Sequence, residues 1–359
     1  MTILIFIVIL VVLILSHEFG HFLFAKLSKV KVEEFGFGFP PRIFCFKKNE
    51  TVYSFNLFPI GGFVKILGED GPGNTGQDAP DKSNFAFKPV YIKAAIISAG
   101  VFFNLILAWI LFSVGFFVGA PTQVDDETEI FGVQVVITEV AANSPAENAG
   151  LAPGDRIVGF RTDNKGIEIS TIGEVQSFVK EREGEKINIL YNRGGEEFSA
   201  DVVPRIGPPE GEGALGIAMA RVGILKSSWY ASIWLGLKET IFLAFIIAQA
   251  FFYLMAGIFK GVGFDEVSGP VGIFNIVSDV SQMGIIYLIR FAAVLSINLA
   301  VINIIPFPAL DGGRLLFLAI EKIKGSPVNY KIANFAHGLG FVLLIILLIL
   351  LTYNDFLRF

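Results

Sequence analysis

The chain has 359 residues, of which 53% are hydrophobic and only 17% charged. That balance lies outside the range of soluble domains and places the chain among membrane proteins. A net charge of −5 argues against a nucleic-acid partner, and the single cysteine, Cys45, excludes an internal disulfide.

Residues 2 to about 27 are almost wholly apolar. As a helix they reach about 39 Å, enough to cross a bilayer. The segment lacks the basic start and the small-residue cleavage site of a signal peptide, so it reads as a retained span. Lys26, Lys29 and Lys31 mark its far end, which the positive-inside rule assigns to the cytoplasm. Within it stands His17-Glu18-Phe19-Gly20-His21. Four apart on a helix, His17 and His21 share a face. Two imidazoles at that spacing can hold one Zn²⁺, with Glu18 as general base toward a water that the metal activates. The plain alternative is an incidental match or a polar helix–helix contact. Three ionisable groups within five residues of a span are, however, costly unless a metal or partner offsets them. The remaining histidine is His337, so a carboxylate is favoured as third ligand.

Residues 33–66 are punctuated by Gly and Pro. Phe35 to Phe39, Ile43 to Phe46 and Val52 to Leu57 read as three short strands, an apolar sheet that either dips into the membrane or forms a small cytoplasmic hairpin. Residues 68–88 read as loop. Residues 92–118 form a second span, with Ser98, Gly100 and Asn104 suited to close helix packing, Asn104 through a packing hydrogen bond. The chain then passes the acidic residues Asp125, Asp126, Glu127 and Glu129. Residues 128–206 carry more charge and recurrent turn signals. Strands are expected at 133–140, 155–160, 186–191 and 198–203, and helices at 145–149 and 172–181, the second capped by Ser170 or Thr171.

Residues 229–259 are apolar again, and 240–259 is long enough to span. Gln249 and the preceding Lys238-Glu239 leave a membrane-surface or re-entrant helix open. Residues 285–305 form a clear span ending in Asn303-Ile-Ile-Pro306-Phe-Pro308-Ala-Leu-Asp311-Gly312-Gly313, and 335–353 form the last. Arg314, Lys322, Lys324 and Lys331 place the Asp311 end on the cytoplasmic side, the side of the histidines. A full crossing by 240–259 alone would put Asp311 on the opposite face, so that segment is read as not crossing unless another stretch also does. Asp311 is then the candidate third ligand; the alternative is an N-cap of the following helix.

Together, His17-Glu18-Phe19-Gly20-His21 and Asn303…Pro306…Pro308…Leu310-Asp311-Gly312 resemble the site-2 protease family of intramembrane zinc metalloproteases. Within it the similarity is greatest to bacterial regulator-of-sigma-E proteases. It extends over Pro59-Ile-Gly61-Gly62-Phe63-Val64-Lys65 and Ser268-Gly269-Pro270-Val271-Gly272. The resemblance implies zinc held by His17, His21 and Asp311, Glu18 activating water, and Asn303 near the substrate. It implies that 33–66 form a β element pairing with substrate and that 229–259 are a gating region. Val101 departs from the family, which often has Pro there. Ser144-Pro145-Ala146-Glu147-Asn148-Ala149-Gly150-Leu151-Ala152-Pro153-Gly154-Asp155 resembles a PDZ signature, with a candidate carboxylate-binding turn near Phe131-Gly132-Val133. Such a domain either binds a peptide tail or acts as a steric filter.

The expected fold is a polytopic α-helical membrane protein of about four spans with a membrane-associated β element and an inserted PDZ-like domain. Its parts are 1–121, the PDZ-like domain 125–206, a linker and gating region 207–284, and a C-terminal membrane part 285–359. The resemblance implies cleavage within single-pass membrane proteins, such as an anti-sigma factor or remnant signal peptides. The expected setting is the bacterial cytoplasmic membrane, with the site toward the cytoplasm and the inserted domain outside. The alternatives are an inactive PDZ scaffold that binds peptide tails and, from the broken helices, a transporter or channel.

Overall fold

The computed structural model describes residues 2–69, 71, 82–123, 133–162, 165–209, 211–258 and 269–358. They form two compact units. The first holds residues 1–114, 230–281 and 288–359, the second 115–229 and 282–287.

In the first unit, α1 (Thr2–Leu27) is apolar on all sides apart from the stretch around His17, Glu18 and His21 and the Lys26 end. It leads into two long strands, β1 (Val32–Lys48) and β2 (Thr51–Ile66). Sequence reading expects three short strands here. Instead β1 and β2 double back, so that Glu34 to Phe37 pair with Val52 to Phe55 on one side and with Lys65 to Gly62 on the other. The far part of this hairpin exposes Ile43, Phe44, Phe46, Phe55, Leu57 and Phe58. Its root is tied down by Ala25, Val30, Val32, Ile66, Ile96, Ile97 and Leu318, a cluster that joins the end of α1, both strands, α2 (Val90–Val118) and α8 (Asp311–Lys324).

Helices α5 (Trp229–Ile258), α6 (Pro270–Met283), α7 (Ile285–Ile304) and α9 (Tyr330–Arg358) complete the unit. Polar bonds join them where apolar contact alone gives little direction. Ser296 Oγ donates to the Asn104 carbonyl (2.8 Å), and Trp109 Nε1 donates to that of Ile233 (2.9 Å). Arg290 pairs with Glu239. The buried Asp355 of α9 accepts from the backbone N–H of Gly269 and Gly272 at the start of α6. Among the described residues five helices are long and apolar enough to cross a membrane, where about four are expected; the addition is Trp229–Gly257. Of its two charged residues, Glu239 pairs with Arg290, and Lys238, which is exposed, carries its ammonium over the Trp234 ring.

The second unit is a seven-stranded sheet. Its strands are β3 (Ala120–Gln123), β4 (Gln134–Val140), β5 (Arg156–Thr162), β6 (Lys165–Glu168), β7 (Ile187–Arg193), β8 (Glu196–Val202) and β9 (Ile217–Leu225). The order is β3-β9-β4-β5-β7-β8, with β6 on β5. Helix α3 (Pro145–Asn148) is one turn; α4 (Ile172–Lys180) presents Val175, Phe178 and Val179 to the core, with Phe178 stacked on Phe160. Asp155 is buried and clamps the Ala152 turn, accepting from Ala152 N–H and, bidentately, from Arg193. Strand β9 lies in the stretch expected as linker, yet it pairs along β4 and completes the sheet. Its 217–220 edge has no strand partner among the described residues, and with α4 it borders a groove of about 250 Å³. Of the candidate carboxylate-binding turn, Phe131 and Gly132 lie outside the described residues, as do the acidic residues 125–129 and Ser268.

Candidate metal centre

Helix α1 carries His17 and His21 on the face it turns to α2. Close approach of the two helices is set by Gly20, where a Cβ would overlap the Ala99 carbonyl of α2. The Nε2 atoms of the two histidines stand 3.1 Å apart. Asp311 Oδ2 completes a triangle, 3.0 Å from His17 Nε2 and 3.2 Å from His21 Nε2. Tetrahedral zinc with bonds near 2.1 Å separates its ligands by about 3.4 Å, so a small outward relaxation would seat the ion. The donor set fits in a second way. Asp311 Oδ2 is buried and, despite these short separations, receives no hydrogen bond. Two nitrogens and an oxygen thus converge as lone-pair donors do around a cation.

Asp311 reaches this point from a sharp turn. Ala309 has φ +83°, a left-handed conformation that a residue with a Cβ adopts only when its surroundings impose it. The constraint comes from His337, whose Nδ1 accepts the Ala309 N–H at 2.9 Å while its ring packs edge-on against Phe317. Gly312 and Gly313 let the first turn of α8 sit directly on the carbonyls of Ile304, Ile305 and Phe307. The N-cap of α8 is Leu310, without a side-chain bond, and Asp311 is the first helical residue. The alternative of Asp311 as an N-cap is thereby corrected: its carboxylate turns to the histidines.

Glu18 is half-buried and lines a cavity of about 210 Å³ together with both imidazoles, Asp311, Arg314 and residues 62–64 of β2. Gly62 lies over Glu18, where a Cβ would stand 3.2 Å from Glu18 Cγ. Arg314 forms an ion pair with Glu69 in the cavity wall. The cavity therefore holds three metal-type donors, a carboxylate beside them, and a strand at its mouth. That set suits hydrolysis of an extended backbone. Asn303 is half-buried in the last turn of α7 and does not line this cavity.

Three contributors escape sequence reading. Gly100 reads only as a small packing residue, yet a Cβ there would lie 2.5 Å from His21 Nε2 and 2.7 Å from His17 Cε1. His337 enters only as a rejected ligand. The Glu69–Arg314 pair joins residues far apart in sequence, with no local signal. The expected packing hydrogen bond of Asn104 is also corrected: its carbonyl is engaged, but its side-chain amide, fully buried, has no partner.

The chain matches peptidase family M50 over residues 5–347. It is 31% identical to the zinc metalloprotease RasP of Geobacillus kaustophilus, covering 99% of this chain and 97% of the relative. It is 30% identical to the regulator of sigma-W protease RasP of Bacillus subtilis, over 99% and 98%. A putative zinc metalloprotease of Nostoc sp. shares 35% identity, over 99% and 96%. The Geobacillus alignment runs over 430 positions against 359 residues here, so that relative holds segments this chain lacks.

Proposed function

The chain belongs to peptidase family M50, a zinc metalloprotease with several apolar helices, and from that premise we propose that it hydrolyses peptide bonds within or near the transmembrane segments of single-pass membrane proteins. The observation that carries this reading is the convergence of His17, His21 and Asp311 on one point beside Glu18, in a cavity reached from a helix that is otherwise apolar on every side. In this reading His17, His21 and Asp311 hold the zinc. Zinc supplies the Lewis acidity that polarises a peptide carbonyl and acidifies water. Glu18 takes the proton of the attacking water and returns it to the leaving amine. A transmembrane helix must first unwind, because its backbone is shielded and hydrogen-bonded. The strand at residues 62–64 supplies backbone partners for the unwound segment, and the exposed Phe-rich end of the hairpin dips into the bilayer. Asn303 holds the substrate from the end of α7.

The site faces the cytoplasmic side and the inserted domain lies outside. That domain is PDZ-like and screens substrates by size, so substrates already trimmed on the outer side are preferred. The 217–220 edge of β9 beside α4 supports a further role, since an extended peptide tail adds to such an edge. A relative described as a regulator of sigma-W protease supports an anti-sigma factor as substrate. The test compares cleavage of one membrane-embedded reporter with and without its outer domain. Faster cleavage of the trimmed form is expected; equal rates would remove the screening role.

A further inference from the structure

The two histidines differ in one respect. His21 Nδ1 stands 2.9 Å from the Ile96 carbonyl of α2, whereas His17 Nδ1 is buried without a partner. A metal-ligating imidazole nearly always engages its second ring nitrogen, because that bond fixes the tautomer and aims the ring. With Nε2 given to a metal, Nδ1 carries the ring's proton and needs an acceptor.

The same interface contains a second unpartnered group. Asn104 of α2 is 0% exposed, and neither its Oδ1 nor its Nδ2 has a hydrogen-bond partner. Helices α1 and α2 run in opposite senses here. His21 meets Ile96, Gly20 packs on Ala99 and Gly100, and Ser16 Oγ donates to the Phe103 carbonyl at 3.2 Å. His17 lies between the last two levels, and its Cε1, bonded to Nδ1, already borders Gly100. Asn104 is one turn beyond Gly100 on the same face of α2. The bare nitrogen and the bare amide thus belong to one short stretch of one helix–helix interface.

We propose that Asn104 is a positioning residue for the metal centre: the two side chains are not bonded to each other in this structure, and when a metal takes Nε2 of His17 the Asn104 Oδ1 turns to accept its Nδ1–H, as the Ile96 carbonyl serves His21. The inference rests on His17, His21 and Asp311 being the zinc ligands. An amide oxygen suits the place because it accepts without adding charge to the membrane interior.

The test measures zinc affinity of the full chain in detergent by competition with a chelator, and the visible spectrum after loading with Co²⁺. Four proteins are compared: wild type, His17→Ala, Asn104→Leu and Asn104→Asp. Asn104→Leu is expected to lose about 10- to 100-fold in zinc affinity and to shift the Co²⁺ bands. Asn104→Asp keeps the acceptor and is expected to bind zinc at least as tightly as wild type. If Asn104→Leu does not fold, Asn104→Asp alone decides, since a tenfold loss there would mean that the amide acts as donor or filler. Wild-type affinity in Asn104→Leu, with binding lost in His17→Ala, overturns the positioning role and leaves the metal centre intact. Equal, weak binding by wild type and His17→Ala overturns the metal reading and this inference with it.

Discussion

At Gly100 the absent side chain is the functional feature. The space a methyl group would take lies against both imidazoles, so the ring positions depend on its being empty. Gly100→Ala is therefore expected to weaken zinc binding by about tenfold or more, as disturbing the surroundings of metal ligands does, while the helices still form. Chelator competition checks it, and unchanged affinity would contradict it. The candidate metal-site residues are legible in sequence, because His17, Glu18 and His21 are chemically out of place in an apolar span. Asp311 is legible through its helix break. Gly100 and His337 are not, since a glycine does not announce what lies opposite it and a histidine holding a backbone N–H looks like any other.

Among the elements, those built by local rules are the readable ones. Thr171 and Glu174 form a capping box at the start of α4, and Thr171 is one of the two caps expected there. Glu174 accepts from the backbone N–H of Ser170 at 2.8 Å and of Thr171 at 3.1 Å, and these bonds hold its carboxyl below the usual range. A carboxyl depressed in the folded state stabilises fully above its unfolded value and loses that contribution as pH falls through the folded one. Amide hydrogen exchange at the start of α4 is therefore expected to speed up on acidification beyond the intrinsic pH effect. Glu174→Gln should remove that pH-dependent part; an identical profile in the variant would contradict the assignment. The β1–β2 hairpin is only half legible. Its Phe and Gly pattern marks strands, but the two-sided pairing of Glu34 to Phe37 is set by partners as far off in sequence as Lys65 is from Glu34, which no local pattern specifies. Strand β9 hides for the same reason: its partner β4 lies far back in the chain.

For the whole molecule, membrane class follows from hydropathy, and the meeting of both motifs from charge placement as long as 240–259 does not cross alone, because a bilayer allows few arrangements of long apolar helices. The number of candidate spans does not follow. Lys238, Glu239 and Gln249 make α5 look like a surface helix, whereas its length and apolar composition also suit a crossing. The division into two units is likewise only partly readable, since the strand that completes the sheet comes after the stretch of highest charge. What unifies the molecule is the requirement that a polar hydrolytic site be built inside an apolar one. α1, α2 and α8 each contribute a residue or a gap to it.

The most direct measurement is cleavage of a trimmed single-pass reporter by purified wild type beside Glu18→Gln, in detergent, with zinc content determined on both. Both proteins are expected to carry zinc, wild type to cleave, and the variant to be slower by at least about 100-fold, the low end of what a general base contributes. Equal cleavage by the two proteins would contradict this, because the chemistry would then lie somewhere other than beside His17 and His21.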